Sequence, residues 1–219
     1  MTQADLLINR VLKSKDEDLE DALYDLVDYV KLFELEDDKL GLIKNTIPDI
    51  IPNLTYKGPF NIIGCTLSII RRIALNEEAT IRLVELLHKQ PTEAVIEGVA
   101  HIEPENWSDN IEIRLLELLQ NSEFEHKVIW TLYQQQFVIQ NENTLIGLKN
   151  YILQNPRKTE KDTATAIMSY SCRSGSLKSV ALIQLKELLE LLPLEQKKSL
   201  KQRIQTLLDK EMVKKIIRN

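Results

Sequence analysis

A seven-residue phrase recurs along this chain, and its spacing limits the folds open to it. Residues 113–119 read Ile-Arg-Leu-Leu-Glu-Leu-Leu, and residues 81–87 read Ile-Arg-Leu-Val-Glu-Leu-Leu, identical at six of seven positions. Looser copies stand at residues 146–152 (Ile-Gly-Leu-Lys-Asn-Tyr-Ile) and 183–189 (Ile-Gln-Leu-Lys-Glu-Leu-Leu), giving steps of 32, 33 and 37 residues. The signals that open helices keep the same rhythm. Pro59, Pro91, Glu123, Pro156 and Pro193 are separated by 32, 32, 33 and 37 residues, and proline suits a helix's first position because its missing N–H has no partner there anyway. A period of this length carrying two helices describes hairpins that bury their apolar surface by stacking on one another. The phrase is read as the inner helix of each hairpin. Its Ile and Leu side chains are expected in the core, leaving Arg114 and Glu117 as candidates for a concave surface.

Composition agrees with an all-α chain. Six glycines and seven prolines in 219 residues are few for a sandwich or barrel that needs many tight turns. The pass from the N-terminus predicts a lead-in helix over 2–13, then an amphipathic helix with Leu19, Ala22, Leu23, Leu26, Val27, Val30 and Phe33 on one face. A helix over 38–51 follows, kinked or shortened by Pro48. Others are expected over 60–75 and 91–102. Ser122 is expected to cap a longer helix over 123–140, and helices over 145–153, 159–172 and 177–192 come next. A last pair is expected over 194–208 and 211–218.

The tetratricopeptide and ankyrin signatures are absent. The repeated phrase resembles a degenerate HEAT-like repeat, which implies an α-solenoid of about five to six antiparallel hairpins. The expected hairpins are 17–53, 59–89, 91–121, 122–154, 156–192 and 193–218, within one all-α repeat domain over 1–219. The resemblance also implies a right-handed stack.

No motif that carries chemistry is present. The three histidines, His88, His101 and His126, lie on separate predicted helices, whereas a metal site needs about four converging ligands. The six glycines never cluster into a phosphate-cradling loop, and no Gly-x-Ser-x-Gly elbow occurs. A non-enzymatic protein with no metal and no cofactor is expected. No apolar run approaches the roughly 18 residues of a membrane span. Residues 1–10 lack a basic segment followed by an apolar core. The expected setting is therefore the cytoplasm, away from membranes, with Cys65 and Cys172 as reduced, buried thiols.

Charge is segregated. Residues 16–38 hold eleven acids and one base, Lys31, whereas residues 196–219 hold eight bases and two acids, in a chain of net charge −5. Such fields steer encounters and select partners. Glu20, Asp21, Asp25 and Asp28, with Tyr24 among them as an amphipathic anchor, form the candidate docking stripe for a basic protein. The acidic run Glu17-Asp-Leu-Glu-Asp-Ala-Leu-Tyr-Asp-Leu, together with Glu105-Asn-Trp-Ser and the Ile113-Arg-Leu-Leu that follows, resembles the small all-helical immunity proteins of bacterial polymorphic toxin systems. That resemblance implies a stoichiometric inhibitor or adaptor whose partner is a basic toxin domain. The alternative reading is a nucleic-acid binder working through Lys197, Lys198, Lys201 and Arg203, or an enzyme similar to the HEAT-like alkylpurine DNA glycosylases. A sequence pI near 5.4 disfavours it, as does the mixture of Arg82, Glu85, Arg114, Glu117, Lys149, Lys186 and Glu187 on the inner helices.

Overall fold

The computed structural model describes residues 2–32, 37–155, 157–173, 176–192, 198, 201–202, 204–206 and 208–210. Among them every regular element is helical. The α-helices are α1 (Gln3–Lys13), α2 (Asp16–Leu32), α3 (Asp37–Ile50), α4 (Ile62–Ile70), α5 (Glu77–Lys89), α6 (Glu93–Val99), α7 (Asp109–Leu118), α8 (Glu125–Gln134), α9 (Glu142–Gln154), α10 (Glu160–Arg173) and α11 (Lys178–Leu191). Short 3-10 turns occupy Ile51–Thr55 and Pro104–Asn106. The last expected pair, residues 193–218, lies largely outside the described residues.

The chain divides into two compact units, Met1–Trp107 and Ser108–Asn219. Within the first, α1 packs on α3 and α3 on α5, while α2 packs on α4 and α4 on α6. Within the second, α7 packs on α9 and α9 on α11, while α8 packs on α10. Each helix thus meets the helix two places along, and each unit sorts its helices into two rows.

The repeated phrase occupies the same register in α5, α7, α9 and α11. Its third residue, Leu83, Leu115, Leu148 or Leu185, is 0% exposed in every copy. Its first residue is not in the core. Ile81, Ile113, Ile146 and Ile183 are 52, 43, 36 and 52% exposed, which corrects the expectation that the phrase buries its isoleucines. The reason is the 100° that separates successive residues on a helix. Positions three, six and seven fall within about 100° of one another and form the inward stripe, whereas position one lies on the opposite side.

The rows are tied at the helix N-termini, whose first backbone N–H groups have no partner inside the helix. Pro48 lies in the last turn of α3, and having no N–H it leaves the carbonyl of Lys44 without its usual donor. The side chain of Asn76 supplies one, its Nδ2 donating to Lys44 O at 3.3 Å. The same side chain caps α5, Oδ1 accepting from the N–H of Ala79 at 2.8 Å. α3 therefore continues through Pro48 to Ile50 and tightens into the 3-10 turn Ile51–Thr55. One loop further on, Thr92 accepts from the N–H of Val95 at 3.1 Å and donates to Leu54 O at 3.1 Å. Asn76→Ala is expected to cost about 1–2 kcal/mol, a lost cap plus a stranded carbonyl. In a Pro48→Ala background, where the helix supplies its own donor to Lys44, chemical denaturation should show part of that cost gone.

Three helices are shorter than expected, α6 among them, at Glu93–Val99 against 91–102. α4 is confined to Ile62–Ile70, short of the range 60–75. α8 ends at Gln134 rather than near Gln140: the chain tightens into turns, Gln136 N–H donating to Tyr133 O and Val138 N–H to Gln135 O, and the N–H groups of Gln140 and Asn141 are then held by the Glu112 carboxylate at 2.8 and 3.3 Å. Ser122 does not cap α8: the N-cap is Phe124, which has no side-chain cap, and ahead of it Asn121 makes a turn, its Oδ1 accepting from the N–H of Glu123 at 3.0 Å and its carbonyl from Phe124 and Glu125.

Candidate functional site

The acidic residues of α2 divide between contacts within the fold and the solvent. Ala22, Leu23 and Leu26 are wholly buried and fix the orientation of the helix. Its outer side then carries Glu17, Asp21, Tyr24, Asp25 and Asp28, all exposed. Glu20 points along the seam toward α4, where its carboxylate accepts from the N–H of Asn61, the α4 N-cap, at 2.8 Å. A carboxylate there suits the positive end of the helix dipole. Tyr24, 45% exposed, brings its hydroxyl to the same residue and accepts from Asn61 Nδ2 at 2.9 Å. Asp25 forms an ion pair with Arg10 of α1, and Asp28 pairs with Lys31 at 3.2 Å. Both pairs are about half exposed and contribute little to stability.

The two candidates on the repeated phrase meet each other. Arg114 Nη1 lies 2.7 Å from a Glu117 carboxylate oxygen one turn along α7. Lys149 of α9 forms an ion pair with Glu187 of α11. Arg114 and Lys149 are thus each balanced by a neighbouring carboxylate.

Sequence reasoning passed over the charged groups with the heaviest structural role. Glu112 on α7 is 0% exposed. Besides the N–H groups of Gln140 and Asn141, it accepts from the hydroxyl of Thr144 in the first turn of α9. It does for α9 what Glu20 does for α4. A sequence signal existed: position 112 falls beside the inward stripe of α7, where a charged residue is out of place unless it has buried donors. A similar tie joins α8 to α10, with Lys158 Nζ at 2.7 and 2.6 Å from the two Glu125 oxygens and His126 Nδ1 at 3.2 Å from Glu160. Tyr151 of α9 is buried beside this group. Burial first, and then the charges of Glu125 and Glu160, push its phenol well above the ordinary range.

No family model matches the chain, and no curated protein matches it. Chemistry at any site must therefore be judged from its own side chains. Among the described residues no group of three or more His, Cys, Asp or Glu side chains is placed to hold a metal ion. Cys65 and Cys172 are buried and form no disulfide, and burial pushes the Cys65 thiol upward, away from the reactive thiolate. No described helix is long and apolar enough to cross a membrane.

One histidine has a marked electrostatic setting. Glu97 on α6 is buried and paired with Arg71, and His101 follows one turn later. Burial depresses the His101 pKa, the Arg71 charge depresses it further, and Glu97 opposes both. A histidine whose folded pKa lies below its unfolded value of about 6.5 gives the unfolded chain the greater proton uptake on acidification. Its contribution is intact above that value and is lost as the pH falls below it. Between pH 7.5 and 5.5 the denaturation midpoint should fall, and His101→Gln should flatten that fall. Glu160, whose pKa is lowered chiefly by a backbone hydrogen bond, acts at lower pH: its contribution is present above the ordinary carboxylate range and lost on acidification through it.

Proposed function

We propose that this protein is a non-catalytic binding module, of HEAT-like hairpin construction, that takes a basic protein partner on the acidic surface of its N-terminal unit. The observation that supports this reading is the division of charge between the two units. Met1–Trp107 contains 20 acidic and 11 basic residues, a net −9, whereas Ser108–Asn219 contains 13 acidic and 17 basic, a net +4. A surplus of this size on one unit accelerates encounter with a basic surface and repels an acidic one. Asp21 and Asp28, exposed on α2, sit at the centre of the proposed surface, with Asp25 beside them and the Tyr24 ring as an anchor. Glu20 supports it from behind through α4. An immunity-type inhibitor or an adaptor would use such a surface stoichiometrically, with affinity set by a few anchors more than by area.

The test is charge reversal at two exposed positions of α2, of which Asp28 pairs with Lys31 of the same helix. Asp21→Lys combined with Asp28→Lys should leave helicity intact and shift the melting midpoint little, since exposed substitutions stay within about 0.5 kcal/mol each. Capture of a basic protein from native lysate, identified by mass spectrometry, should drop at least tenfold and should weaken as salt rises. Undiminished capture by the double variant would refute the α2 surface. The surplus of bases in Ser108–Asn219 raises nucleic acid as the alternative. The pairing of Arg114 with Glu117 and of Lys149 with Glu187 argues against a phosphate groove on that inner row. Salt-sensitive retention on heparin or duplex DNA that survived the α2 reversal would favour the alternative.

A further inference from the structure

We draw no further inference here: the strongest candidate, the set of half-exposed isoleucines Ile113, Ile146 and Ile183 on the inner-row helices α7, α9 and α11, is an unpartnered apolar face beside charges already paired with one another, and nothing in the structure shows what covers it.

Discussion

Glu112→Ala is expected to destabilise the C-terminal unit by about 3–5 kcal/mol, the range for removing one partner from a buried charged network. The carboxylate is wholly buried. Its loss strands the buried hydroxyl of Thr144 and takes the acceptor from the N–H groups of the exposed Gln140 and the half-buried Asn141. An unsatisfied buried donor costs about 1–3 kcal/mol. Glu112→Gln keeps one acceptor oxygen and nearly the same volume, so it should fall between the wild type and the alanine variant. Thr144→Val removes a single donor together with its share of the carboxylate and should cost less than Glu112→Ala. Urea denaturation gives all three numbers. A Glu112→Ala variant within about 1 kcal/mol of wild type would show that the α7–α9 junction does not depend on this cap.

Leu148→Ala should be comparably damaging, at about 3–5 kcal/mol, because Leu148 is 0% exposed between the rows and alanine leaves a cavity that packed neighbours fill only in part. Gly147 sharpens the case. A Cβ there would stand 2.6 Å from a Leu116 methyl of α7, so the two helices already meet closely beside Leu148 and have little room to collapse further. Two residues before Leu148, Ile146→Ala removes a partly exposed side chain and exchanges a β-branched residue for the best helix former. Its cost should be a small fraction of the leucine's.

The sequence made the rows of helices legible and left the ties between them hidden. Breakers and apolar register stepped together, so helices near 81–87, 113–119, 146–152 and 183–189 were recoverable, and they fall on the observed α5, α7, α9 and α11, with Leu119 as the C-cap of α7. The isoleucine error was avoidable, since 100° per residue places position one of the phrase opposite positions three, six and seven. Other features were not recoverable from local pattern. Asn76 reads as an ordinary N-cap. That it also answers the carbonyl freed by Pro48, 28 residues away, depends on how α3 and α5 lie against each other. The docking stripe was legible as charge but not as contacts. Glu20, Tyr24 and Asp25 looked equivalent to Asp21 and Asp28, yet Asn61 and Arg10 engage the first three. The segment after α8 was hidden for the same reason, since Glu112, 28 residues before Gln140, takes up backbone N–H groups there.

The central claim is that one phrase, in one register, recurs on α5, α7, α9 and α11 and turns the same side of each helix into the core. An alanine scan at its first and third positions tests this directly, with stability measured for each variant by chemical denaturation. Leu83, Leu115, Leu148 and Leu185 should each cost about 3 kcal/mol or more, and Ile81, Ile113, Ile146 and Ile183 should each cost well under half of that. Equal costs at the two positions, or a reversed order in any copy, would contradict the shared register and with it the account of the chain as a repeat.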